Sequence, residues 1–226
     1  LSAFRRGRTR MRDIVFLVAD LSMQEALRGF LTRDDFHRNF NLGVRPFDFD
    51  PPQDLFYAAG LNDPGMYTDG HNILAPFQRT HRHAIVIQDA EWDGSPGAAA
   101  ICAELTAKIE ATGWSIDRFR VICIEPELEN WIWQRNNRVA EPLGFASVDE
   151  MIAAVRTAGL EWPDGHPKPR RPKEALEAVV RRRGIGLSSS VHRSITKRVS
   201  LNGCQCPALL GLRDALRQWF PSGDPA

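Results

Sequence analysis

No apolar run in this 226-residue chain approaches the roughly 20 residues needed to cross a bilayer, so a membrane-spanning role has no support. No glycine-rich phosphate loop follows any predicted strand, which sets aside nucleotide binding of the P-loop or dinucleotide kind. Cysteine is scarce, with four residues at Cys102, Cys123, Cys204 and Cys206. The first two lie inside apolar runs, and Cys204-Gln205-Cys206 is spaced too tightly for a CxxC redox or zinc pair. Free buried thiols in a reducing cytosol are the expectation. A structural zinc site would need a histidine, and His192 is the nearest candidate for that less favoured reading. The N-terminal "LSAFRRGRTRMRD" has no apolar stretch of the signal-peptide kind. Residues 1–12 are read as a basic, disordered extension. No internal repeat is visible.

What is present is the composition of a globular protein with a real core: 43% hydrophobic and 25% charged residues. The formal net charge of +1 hides a partition. Residues 14–165 carry 12 basic and 23 acidic residues, whereas residues 166–198 carry 10 basic and 2 acidic ones. An acidic body attracts cations, and a basic arm attracts polyanions.

Hydrophobic patterning gives the order of elements. "DIVFLVAD" at 13–20 reads as a buried strand, and "LSMQEALRGFLTR" as an amphipathic helix capped by Ser22. Residues 44–50 alternate like an edge strand around Pro46, residues 51–68 read as a long surface loop, and a short helix is expected after Asp69. A strand at about 83–89, a helix ending at Gly113, and the strand "DRFRVICIEP" follow. "ELENWIWQRN" begins another helix, and the remainder holds helices without a convincing strand. Strand–helix alternation followed by helices predicts an α/β core over 13–146, a mainly parallel sheet flanked by helices, and a helical C-terminal part over 147–226.

Three predicted strands end in carboxylates: Asp20, then Asp89, Glu91 and Asp93, then Glu125, Glu127 and Glu129. The C-terminal strand ends of a parallel sheet gather along one edge, where ligands bind. Hard Mg²⁺ or Mn²⁺ takes oxygen donors and would relieve the repulsion among these groups. The plainer alternative is that acidic residues favour turns and helix starts. His81 and His83 begin their strand a full strand length from Asp89 and are expected at the surface or the core edge. His71 is placed near a helix start, and Trp131 and Trp133 are expected in the core. Lys168, Arg170, Arg171, Lys173, Arg181, Arg182 and Arg183 form a basic arm, with Leu176, Val179 and Val180 facing inward. The arm is either a solvated face, a contact for the phosphates of DNA or RNA, or a dock for an acidic surface, this protein's own acidic body in a dimer included.

The segments "VFLVAD…QEAL", "AIVIQDAEWDG", "ICIEPELENWIW", "RRPKEALEAV" and "CPALLGLRDAL" resemble the TOPRIM-like domains of bacterial phage-defence loci. These are related to the overcoming-lysogenization-defect nucleases and include proteins of methylation-associated defence systems. The resemblance spans most of residues 13–220 and implies a cytoplasmic TOPRIM-like fold with a Mg²⁺ or Mn²⁺ site and phosphodiester hydrolysis. It places general acid–base work at Asp20 and metal binding at Asp89 and Glu91, with Asp93, Glu127 and Glu129 in support. Two departures stand out. The family's first motif has a glutamate, where this chain reads Val18-Ala19-Asp20, so either Asp20 replaces it with a shorter reach or Ala19 leaves no acid there. The family's D-x-D pair is Asp89-Ala90-Glu91 here. The rival implied by these departures is a catalytically silent subunit of a multi-protein defence complex.

Overall fold

A computed structural model describes residues 10–34, 36–38, 42–186, 188–202 and 204–223. Residues 1–9 of the expected N-terminal extension lie outside the described residues. At the centre runs a four-stranded, all-parallel sheet in the order β2-β1-β3-β4, formed by β1 (Arg12–Val18), β2 (Leu55–Tyr57), β3 (His81–Asp89) and β4 (Phe119–Ile124). Parallel strands are covered on both faces, which is why β1, β3 and β4 read as near-continuous apolar runs.

Alternate residues point to two separate cores. Ile14, Phe16, Val18, Ile85, Ile87, Ile122 and Ile124 face α1 (Leu21–Leu31) and the C-terminal helices α8 (Pro172–Arg182), α9 (Ser189–Thr196) and α10 (Pro207–Trp219). Val15, Leu17, Ala84, Val86 and Val121 face α3 (Asn62–Leu74) and α4 (Ala98–Ala111). Short helices complete the chain: α2 (Pro51–Asp54), α5 (Glu129–Ile132), α6 (Asn137–Ala140) and α7 (Val148–Thr157). The C-terminal helices therefore form one outer layer of the sheet. In that layer α9 lies so close to α1 that a Cβ on Gly29 would fall 1.9 Å from Thr196 Oγ1. Among the described residues, no helix is long and apolar enough to cross a membrane.

Several local expectations are corrected. The sheet's edge strands are β2 and β4, not residues 44–50, where Val44 makes an isolated antiparallel bridge to Pro221. The alternation there comes from aromatic anchors: Phe47 stacks on Phe220 with centroids 4.5 Å apart, and Phe49 meets Phe16 edge-on at 5.6 Å. The supposed loop at 51–68 contains α2, β2 and the start of α3, so His71 sits in the last turn of that helix. The cap of α1 is Asp20 rather than Ser22; its side chain accepts a hydrogen bond from the Met23 N–H at 2.8 Å. The helix expected from "ELENWIWQRN" is a single turn, α5. Trp131 and Trp133 are buried as expected, as are Leu176, Val179 and Val180.

Candidate functional site

The acidic residues gather where the order of strands reverses around β1, the place where open parallel sheets bind ligands. Asp20 follows β1 and starts α1. Asp89 is the last residue of β3 and pairs in register with Ile124, the last of β4. The chain leaving β4 delivers Glu127 and, on the single turn of α5, Glu129. A fourth contributor comes from the first turn of α3: Asp63, whose Oδ1 accepts the backbone N–H of Asp89 at 2.7 Å.

Asp89 is the focus. It is 7% exposed, and its Oδ1 is buried without a hydrogen-bond partner. Burial, followed by the negative charges of Asp63, Glu129, Asp20 and Glu127, holds its carboxyl well above the usual range. Burial likewise pushes Asp63 up to about 6, with Asp20 adding to the shift and the Asp89 N–H opposing it. Glu127 is also raised, first by burial and then by Glu129. Two groups offset part of this strain. Lys173, at the start of α8, lies 3.6 Å from Glu127 Oε2, and its backbone N–H donates to Glu127 Oε1 at 3.2 Å. Burial alone would lower the Lys173 ammonium, but Glu127, Glu129 and Asp89 outweigh it and raise it. His192 Nε2 lies 2.9 Å from Glu129 Oε1 in a buried pair between α9 and α5. His192 thus serves a carboxylate rather than the zinc site considered with Cys204 and Cys206.

Other expected site residues stand apart. Glu91 and Asp93 are exposed in the turn after β3, and neither is among the charges that weigh most on Asp89. Glu91 lines an open groove with Trp92, Glu125 and Glu127. The basic arm is largely committed within the chain. Lys168 donates to the backbone and side-chain oxygens of Asn130. Arg170 pairs with Glu161 at 2.9 Å, Arg171 with Glu174 at 2.8 Å, and Arg183 with Glu150 at 3.8 Å while lying over the Phe145 ring. Arg181 and Arg182 are exposed, with no ion pair among the described residues.

Among the described residues, no three His, Cys, Asp or Glu side chains stand in an arrangement that could hold a metal ion. Mg²⁺ does not require three, since it commonly takes one or two carboxylates and completes its shell with water. The donors around Asp89 are all carboxylate oxygens, and one buried oxygen lacks a partner, so the chemistry of the set suits a hard divalent cation.

Comparison with protein families, curated proteins and solved structures finds no match for this chain. The assignment of the site therefore rests on its geometry. Two of its residues escaped the sequence reading. Asp63 sat in a supposed loop, although Asn62-Asp63-Pro64 has the acid and proline of a helix start. Lys173 belongs to the basic arm, and no local pattern marks its approach to the acidic edge.

Proposed function

We propose that this chain is a TOPRIM-like protein of phage defence whose acidic strand edge holds Mg²⁺ or Mn²⁺ and acts on phosphodiester bonds of DNA or RNA. The observation that carries the metal reading is Asp89: a buried carboxylate with an unpartnered oxygen, surrounded by four other acids. A cation there would replace mutual repulsion with coordination, and Asp89 with Asp63 or Asp20 would hold it. When bound, such an ion activates water and stabilises the charge of a phosphoryl transition state. Around it, Asp63 fixes the β3 terminus through the Asp89 N–H, His192 orients Glu129, and Lys173 offers a cation to an anionic substrate. Arg181 and Arg182, free of internal ion pairs among the described residues, would meet the phosphate backbone of a longer nucleic acid. The defence role and the TOPRIM assignment rest on the sequence resemblance.

The test is hydrolysis of end-labelled single- and double-stranded DNA and RNA with millimolar Mn²⁺ or Mg²⁺. The parent should cleave at least one substrate, and folded Asp89→Asn should lose activity by at least about a hundredfold, the scale of a removed group that stabilises transition-state charge. Cleavage that persists in Asp89→Asn would move the chemistry elsewhere.

A second reading has a specific observation behind it. No three-ligand arrangement is present among the described residues, and Lys173 already supplies positive charge to the cluster. A silent subunit that uses this fold for assembly would bind no metal and would cleave nothing under any of these conditions.

A further inference from the structure

We propose that Cys102 and Cys123 are an oxidisable dithiol, a modification site at which peroxide closes an intramolecular disulfide between α4 and β4. Their Sγ atoms lie 3.1 Å apart, although the residues are far from adjacent in sequence. A disulfide bond is about 2.05 Å long, so closure asks for a movement of about 1 Å. Neither cysteine is already bonded.

Access is asymmetric. Cys102 is half-buried on α4, whereas Cys123 is buried in β4 on the α4 side of the sheet. Both line a surface groove with Ala99, Arg120, Pro207 and Gly211, whose opening suits a small oxidant. The electronic division matches the access. The hydrogen bond with Cys123 holds the Cys102 thiol below its ordinary value against the effect of burial. That same contact, with burial, pushes Cys123 up. Cys102, the more accessible sulfur, is therefore the attacking one and Cys123 the resolving one.

The chemistry balances with hydrogen peroxide as oxidant. The Cys102 thiolate attacks one peroxide oxygen, the O–O bond breaks, and hydroxide leaves to be protonated to water, giving a sulfenic acid on Cys102. Cys123 sulfur then attacks Cys102 Sγ and the S–O bond breaks. The departing hydroxide takes the Cys123 proton as the second water. Two thiols and one peroxide become one disulfide and two waters, with both cysteines oxidised and the peroxide reduced. Cys204 and Cys206 make no such mutual contact; Cys206 Sγ instead lies 3.9 Å from Asn130 Nδ2. The inference does not depend on metal binding or on hydrolysis.

The experiment treats the full chain with hydrogen peroxide, quenches it, and counts thiols after denaturation, alongside peptide mapping without reductant. The expected result is a fall from four titratable thiols to two, a linked peptide pair containing Cys102 and Cys123, and full recovery with dithiothreitol. Cys102→Ser should abolish the loss. Should a serine variant misfold, the peptide map of the parent still decides. An unchanged thiol count would overturn the proposal. So would a Cys204–Cys206 or interchain link in its place, or sulfinic acid on Cys102 without a linked peptide.

Discussion

Asp54 and Asp89 are both buried aspartates at the sheet, but they lie at opposite ends of its strands. Asp54 ends α2 where β1, β2 and β3 begin, and it is fully buried. Arg12 grips it with two nitrogens, His81 Nε2 lies 3.1 Å from its Oδ1, and the Asp50 N–H donates to its Oδ2 at 2.6 Å. Burial alone would raise its carboxyl, yet the bonds from Arg12 and His81 outweigh that and hold it below the usual range. Asp89, at the C-terminal end, has acids for neighbours and an oxygen with no partner. A buried charge whose lone pairs are filled is part of the framework, whereas a buried carboxyl among other acids, with an oxygen left unpartnered, is what the proposed cation site rests on.

The comparison breaks first, and most visibly, at Asp54. Asp54→Ala leaves Arg12 and His81 without their anion and should cost about 3–5 kcal/mol in urea unfolding at neutral pH. A loss below about 1 kcal/mol would show that the N-terminal network contributes little. The two ends should also respond oppositely to pH. Asp54, with its folded pKa depressed, gives stability that is complete above the ordinary carboxylate range and disappears as pH falls through the folded value.

Asp63 has its folded pKa raised from 3.8 to about 6, so the native state binds more protons than the unfolded chain in that interval. Stability should therefore fall as pH rises from about 4 to 6. Asp63→Asn keeps an acceptor for the Asp89 N–H and removes the charge. It should gain about 3 kcal/mol at pH 7.5, since a folded value of about 6 against 3.8 costs roughly 1.4 kcal/mol for each tenfold change in proton affinity, and gain almost nothing below pH 4. Equal effects at both pH values, read from paired denaturation curves, would contradict this account of the acidic edge.

Smaller effects sharpen the picture. Lys173→Gln should cost less than about 1 kcal/mol in stability, since the pair is partly exposed, and should raise the Glu127 titration further in carbon-detected NMR. Arg181→Glu with Arg182→Glu should change stability by no more than about 0.5 kcal/mol. If those side chains meet nucleic acid, the pair of changes should flatten the salt dependence of binding by about two phosphate contacts, measured by fluorescence anisotropy. Unchanged binding would leave the arginines as a solvated face.

Much of the framework was legible because parallel strands covered on both faces need continuous apolar runs. β1, β3 and β4 are visible for that reason, and so are the carboxylates that end them. β2 was hidden because its three residues are too few to show a period, and with it went Asp63 on the helix that follows. The sequence order Asp89-Ala90-Glu91-Trp92-Asp93 suggested three acids acting together, but the chain turns into solvent after Asp89 and carries Glu91 and Asp93 out with it. The composition of the basic arm left a solvated face, a polyanion contact and a dock for an acidic surface open. The fold turns Lys173 toward Glu127, pairs Arg170, Arg171 and Arg183 with acids of the same chain, and leaves Arg181 and Arg182 exposed. Such pairings depend on tertiary approach across dozens of residues, which local patterns do not encode.

The central claim is that the unfilled oxygen of Asp89 marks a cation site. The most direct measurement is calorimetric titration of Mn²⁺ and Mg²⁺ into the parent chain at pH 7.5 and at pH 5, beside folded Asp89→Asn. The account predicts binding by the parent at pH 7.5, weaker binding at pH 5 where protons compete for Asp63 and Asp89, and none by the variant. Absence of binding by the parent at millimolar metal, or equal binding by Asp89→Asn, would contradict it.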